Sequence, residues 1–216
     1  ISDAKNDGNK IISISQGLDE PLVAANLELV SAYNNNVTIF NAIGNNMGSG
    51  IFYPSNSSAV IAIGASTKTN TKAGYSNYGS HIEFLAPGGS GPEALDNLNI
   101  LTTSVDGYVH TSGTSFATPL AAGSAGLLLA KRNDLYNDDI KNILILSCDK
   151  LPEMLGDNFT DRHGYGRINI KKALDLLQPP YLLVNNLTTT GGTDVATSGY
   201  EKVVILGVPG LSTGVY

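Results

Sequence analysis

The run Gly113-Thr114-Ser115-Phe116-Ala117-Thr118-Pro119, continued by Leu120-Ala121-Ala122-Gly123, sets a serine at the mouth of a nearly polar-free segment. Ala121, Ala122, Ala125, Leu127, Leu128, Leu129 and Ala130 leave that segment no polar face, which predicts a buried helix. A hydroxyl at the N-terminus of a buried helix faces unpaired N–H groups and the positive end of the helix dipole. That setting suits a serine nucleophile attacking a carbonyl whose oxygen becomes an anion. The same serine also fits an N-cap, whose oxygen satisfies free N–H groups.

A second candidate, Ala42-Ile43-Gly44-Asn45-Asn46, ends an apolar run at 37–42, and the carboxyl ends of strands are where α/β folds bind ligands. Asn and Gly here also fit a simple turn. The spacing of Gly44, Gly48 and Gly50 suggests a phosphate loop, but no Gly-Lys-Ser/Thr follows.

The elements that must position these residues can be read along the chain. Apolar runs at 10–15, 37–42, 59–65 and 82–86 read as buried strands. Leu22, Leu27, Leu29, Val30 and Tyr33 recur at helical spacing after Pro21, and Asn34-Asn35-Asn36 ends that helix. Strand, helix and strand at this length form a βαβ unit with parallel strands. Runs at 100–103 and 108–111 flank Asp106-Gly107, a hairpin turn signal. Helices are expected at 137–146 and 169–177. Pro179-Pro180 marks the expected boundary between residues 1–178 and a β-prone tail, or the start of a further module, at 179–216.

Composition narrows the class. The 216 residues suit one α/β domain with a short appendage, and 15% of them are charged, for a net charge of −6. No Lys/Arg cluster exceeds two in a row, which argues against a nucleic-acid partner. No apolar stretch reaches the length of a membrane span. Cys148 is the single cysteine and reads as a small buried hydrophobe. Ile1-Ser2-Asp3 is not a native start, so a preceding segment is expected.

The extended match G-T-S-F-A-T-P-L-A-A-G resembles the nucleophile segment of the subtilisin-like serine proteases, the subtilases. Other matches keep the family's order: Ser15-Gln16-Gly17 with its strand N-x-S-x-G, Ala42-Ile43-Gly44-Asn45 with A-x-G-N, Phe84-Leu85-Ala86-Pro87-Gly88 with D-x-x-A-P-G, and Gly164-Tyr165-Gly166-Arg167-Ile168-Asn169 with G-x-G-x-x-N. The resemblance implies a mainly parallel α/β sheet with helices on both faces, lacking its N-terminal part. It implies peptide-bond hydrolysis through a Ser115 acyl-enzyme, with Asn45 donating to the oxyanion. It also implies a substrate pocket walled by Ser15, Gln16 and Gly17 on one side and Ala42, Ile43 and Gly44 on the other, with Gly113 and Thr114 beside it. The loop between Asn45 and Tyr53 is short, so Ile51 and Phe52 are expected to narrow the pocket floor.

The family's remaining triad members, an aspartate in D-[ST]-G and a histidine in H-G-T-x-V-A-G, precede the strand at 10–15, and neither motif is in this chain. His81 reads as a solvent-facing turn residue; His163, in Arg162-His163-Gly164, looks superficially like the missing motif but lacks the T-x-V-A-G that should follow and lies on the wrong side of Ser115; and His110, five residues before Ser115, reads as a strand-end histidine rather than a base. Two functions follow. One is the serine-bearing part of an endopeptidase that acts on proteins or peptides, with Asp and His supplied by an upstream chain or segment. The other is a non-catalytic peptide-binding or assembly module. The resemblance implies secretion or cell-surface location. It allows calcium as a cofactor, but the family's strong ligands lie mostly upstream, so no metal site is assigned.

Overall fold

The computed structural model describes residues 1–50, 52–92 and 95–177, and the backbone of 182–185 and 202–205. Four strands, β1 (Ile11–Ile14), β2 (Thr38–Ala42), β3 (Ile61–Ser66) and β4 (Ile82–Pro87), form one parallel sheet in the order β1-β2-β3-β4. Every residue of β2 and β3 is buried. Continuous burial is the signature of parallel strands covered on both faces, and it explains why these runs read as unbroken apolar stretches.

Alternate side chains divide between the two faces. Phe40, Ile61, Ile63 and Phe84 pack with Ala117, Ala121, Ala125 and Leu128 of the long helix α3 (Thr114–Lys131), and with α4 (Asn137–Ser147) and α5 (Ile170–Leu176). On the other face, Ile39 packs with Leu29 and Ala32 of α2 (Val23–Asn34). A fully buried Leu contributes about 1.5–3 kcal/mol by leaving water. Leu128→Ala at this contact is therefore expected to cost about 2–5 kcal/mol, since it also leaves a cavity.

A one-turn helix, α1 (Ser2–Asn6), lies against α2: Lys5 Nζ donates to Ser31 Oγ at 2.9 Å and sits 3.6 Å from Glu28. Strands β5 (Ile100–Ser104) and β6 (Gly107–Thr111) form the expected hairpin, but with the turn one residue earlier. Ser104 pairs with Gly107, so Val105 and Asp106 make the turn and Gly107 belongs to the strand. In the tail, β7 (Leu182–Asn185) and β8 (Lys202–Ile205) pair antiparallel. The expected boundary at Pro179-Pro180 lies outside the described residues.

Two surfaces differ from the sequence reading. Leu22, Leu27 and Val30, which share the helical spacing of α2, are exposed beside Val23; Leu29 is the fully buried member of the set. The helix α3 is not covered all round either, because Leu120 and Leu127 stand 46% and 52% exposed. Both departures follow from position. The sheet covers one side of each helix, and nothing among the described residues covers the other.

Candidate active site

Ser115 is the second residue of α3 and is half-buried. The N-cap is Gly113, which makes no side-chain capping bond, so the capping reading of Ser115 is overturned. Gly113 has φ +153°, a conformation that strains any residue with a Cβ. Its N–H donates to the Gly88 carbonyl at 2.9 Å. That carbonyl also accepts from the Tyr75 hydroxyl at 2.6 Å. The start of the helix is thereby tied to the end of β4.

Proline placement frees one group. An α-helix would satisfy the Ser115 carbonyl with the N–H of residue 119, and Pro119 has none. The Ser15 hydroxyl, just past the end of β1, donates to that carbonyl instead at 2.9 Å. A residue one hundred positions away thus replaces the missing helical bond and holds the segment at 15–17 beside Ser115.

The amide of Asn45 is exposed, and its Oδ1 accepts two bonds from Thr114, one from the backbone N–H at 2.9 Å and one from Oγ1 at 2.8 Å. With Oδ1 so engaged, Nδ2 faces the space that glycine leaves at 113. An atom at the Cβ position of residue 113 would lie 3.5 Å from Asn45 Nδ2 and 3.7 Å from the Ser115 nitrogen. Asn45 Nδ2 and the Ser115 nitrogen thus lie near one point, which Phe116 Cδ2 also approaches to 3.6 Å. Thr114, expected beside the substrate pocket, is fully buried, and its hydroxyl is engaged by Asn45.

The two expected walls continue the neighbouring strands β1 and β2 beyond the sheet. Ser15, Gln16 and Gly17 are exposed. Ala42 and Ile43 are buried, Ile43 within the core, and Gly44 is half-buried. Asn41 Nδ2 donates to the Gln16 carbonyl at 2.8 Å and fixes the separation of the walls.

The phosphate-loop reading fails here because the donors are taken. The N–H groups of Asn46 and Gly48 go to Asn77 Oδ1 at 2.7 and 3.3 Å, and that of Met47 goes to the Tyr75 carbonyl at 3.0 Å. Asn77 is 1% exposed and also donates to the carbonyls of Ile43 and Gly50, so it organises the whole loop after β2. Sequence reasoning missed it, since its partners lie about thirty residues upstream. A turn asparagine in Tyr75-Ser76-Asn77 carried no local sign of them.

No histidine is hydrogen-bonded to Ser115 among the described residues. His110 Nδ1 lies 4.0 Å from the exposed carboxylate of Asp96. His163 is buried between Thr160 Oγ1 at 2.9 Å and Glu153 at 3.0 Å, a structural setting. His81 is exposed. Cys148 is buried, and burial pushes its thiol up to about 12. Among the described residues no three His, Cys, Asp or Glu side chains gather as a metal site.

The subtilase family profile, Peptidase_S8, matches residues 1–166. The chain is 32% identical over 190 residues to the cell wall-associated protease of Bacillus subtilis, covering 79% of this chain and 20% of that protein. It is 30% identical over 171 residues to subtilisin BL of Lederbergia lenta, covering 79% of this chain and 58% of the relative. The chain thus spans between a fifth and three fifths of these curated relatives. The crystal structure of a lanthipeptide protease superposes with a TM-score of 0.71 at 26% identity, over 82% of this chain and 64% of that one. By its residues 1–166, by these relatives and by its parallel α/β sheet, the chain belongs to the subtilase family of serine proteases.

Proposed function

We propose that this chain is the serine-bearing part of a subtilisin-like serine endopeptidase. The observation that carries the reading is that Ser115 opens α3 while Asn45 Nδ2, its Oδ1 held by Thr114, and the Ser115 backbone nitrogen lie 3.5 and 3.7 Å from one point at Gly113. Ser115 Oγ attacks the peptide carbonyl, and the two donors bind the oxygen as it becomes an anion. A serine hydroxyl needs a base at neutral pH, and the base needs an orienting carboxylate. In this reading a histidine and an aspartate come from a segment upstream of Ile1. The histidine takes the Ser115 proton and then gives it to the leaving amine.

Exposed apolar surface supports an upstream segment. Strand β1 has one neighbour, β2, and its outer edge is unpaired among the described residues. Leu120 and Leu127 on α3, and Val23, Leu27 and Val30 on α2, are exposed. An open strand edge and apolar patches of this kind are covered in stable proteins. A segment that adds beside β1 covers the edge and brings its side chains to the end of the sheet where Ser115 lies. The walls are uncharged, which favours an apolar or uncharged residue before the cut. Secretion or attachment at the cell surface fits the similarity to a cell wall-associated relative.

Labelling with a fluorophosphonate on the full-length protein, with the modified peptide mapped, tests the reading. An adduct on Ser115 that is lost in Ser115→Ala is expected. No adduct with the upstream segment present overturns it in favour of a non-catalytic peptide-binding module.

A further inference from the structure

Two peptide groups flank the α-carbon of Asn45, and one residue holds both. The carbonyl of Gly44, in the peptide bond before Asn45, accepts from the Asn77 backbone N–H at 3.0 Å. The N–H of Asn46, in the peptide bond after it, donates to Asn77 Oδ1 at 2.7 Å. The orientations of these two planes set φ and ψ of Asn45, and with them the direction in which its side chain leaves the backbone.

The hold extends along the loop. Asn77 Oδ1 also accepts from the Gly48 N–H at 3.3 Å, while Nδ2 donates to the Ile43 and Gly50 carbonyls at 3.4 and 2.9 Å. Gly44 and Met47 have φ of +110° and +59°. The loop thus passes through left-handed backbone on either side of Asn45-Asn46, a path that these ties maintain against its local cost. Ile51, expected at the pocket floor, lies outside the described residues.

Asn77 is itself fixed. It is almost fully buried, as is Ser76 before it. Ser76 Oγ accepts from the Ala65 N–H and donates to the Asn77 carbonyl, both at 3.1 Å, which joins the turn to the buried strand β3. Lys72 Nζ donates to the Ser76 carbonyl at 2.6 Å. One residue earlier, the Tyr75 hydroxyl donates to the same Gly88 carbonyl that receives the Gly113 N–H. The turn at 75–77 therefore braces both the loop that bears Asn45 and the start of the helix that bears Ser115.

We infer that Asn77 is a positioning residue for the oxyanion: it fixes the backbone of Asn45, and so the place of Nδ2, without touching substrate. Thr114 orients the Asn45 amide; Asn77 holds the backbone from which that amide extends. The inference rests on the endopeptidase reading. A misplacement of about 1 Å costs on the order of 10²-fold in rate. The loss falls on a bond made in the transition state, so it appears in kcat and leaves KM.

The test is a double-mutant cycle in kcat, with the full-length protein and one chromogenic peptide. Asn77→Ala should lower kcat at least about tenfold and leave KM within about threefold. In the Asn45→Ala background no donor is left to misplace, and the same substitution should lower kcat by less than about threefold. Loss of folded protein lowers kcat by one factor in both backgrounds, so a merely structural role gives an additive cycle. Leu128→Ala, a core change near the far end of α3, supplies that additive comparison. Melting curves identify a variant that has not folded. If Asn77→Ala has not, Asn77→Ser, which keeps a hydroxyl in place of the amide, carries the cycle. Equal factors in the two backgrounds overturn the inference, as does a folded variant that raises KM at unchanged kcat or changes neither. Those outcomes leave the wild type cleaving and Ser115 labelled by fluorophosphonate. Failure of the endopeptidase reading abolishes both in the wild type, and the inference falls with it.

Discussion

Ser15 Oγ donates to the carbonyl of Ser115 at 2.9 Å, and that carbonyl is the one Pro119 leaves without a helical donor. A proline four residues after the serine and a serine at the end of β1 thus form one device. Ser15→Ala is expected to cost about 1 kcal/mol, the net worth of one hydrogen bond. Pro119→Ala supplies an N–H to the same carbonyl, so in that background the cost of Ser15→Ala should shrink by half or more. Urea unfolding of the four proteins, analysed as a double-mutant cycle, measures the coupling; additive costs would contradict it.

The bonds from Thr114 to Asn45 Oδ1 orient the amide, so Asn45 and Thr114 should differ in their kinetic effects. Asn45→Ala removes the donor itself, and kcat should fall about 10²–10³-fold, a range that comes from a subtilisin of the same family. Thr114→Val removes one of two orienting bonds and keeps the backbone one; kcat should fall about 2–10-fold. Steady-state kinetics of the full-length protein with a chromogenic peptide separate the two.

Burial sets the chemistry of Cys148. With its thiol pushed up to about 12, almost no thiolate exists at pH 8. Iodoacetamide should leave the folded protein unmodified at that pH and label it fully in denaturant. Intact mass reads both states.

Asp149 links pH to stability. Burial raises its pKa, but hydrogen bonds from Lys172 at 2.5 Å, Asn169 at 2.9 Å and Arg167 at 3.2 Å outweigh it and hold the carboxyl below its ordinary value. A lowered folded pKa means stability that is present above the unfolded value of about 3.9 and is lost as pH falls through the folded one. Asp149→Asn should therefore destabilise the protein by about 1 kcal/mol at pH 7, after discounting for partial exposure. It should also flatten the decline below about pH 4. Urea midpoints from pH 3 to 7 test the sign.

A Cβ at Gly166, whose φ is +120°, would run into the Asp149 carbonyl. Gly166→Ala meets both a strained backbone and a backbone collision, so a loss of at least about 2 kcal/mol is expected. Thermal unfolding against wild type checks it.

Local pattern carried the strands, because each is a short apolar run whose bounds are marked by Asn, Gly or Pro. A long motif in the right order put Ser115 at the start of α3 and Asn45 just after β2, which is where they lie in the fold. Local pattern did not carry the facing of α2: Leu22, Leu27 and Leu29 share one spacing, and which of them is buried depends on what lies across the helix. The hairpin turn moved by one residue because Gly107 fits a strand position opposite Ser104 as well as a turn. Phe52, expected at a pocket floor, lies close to both Gly17 and Gly44, a placement that exists only once the chain has folded across thirty-five residues. The Ser15–Ser115 bond is longer-range still.

The vacancy at Gly113 has a further meaning. A methyl group there would sit 3.5 Å from Asn45 Nδ2 and 3.7 Å from the Ser115 nitrogen, at the point that the proposed mechanism gives to the substrate oxygen. In pharmacological language, a protein with alanine at this position would carry its own competitive blocker, one carbon in size and permanently tethered. The absence of a side chain is in this sense the receptor, and the smallest amino acid defines the most exacting part of the site.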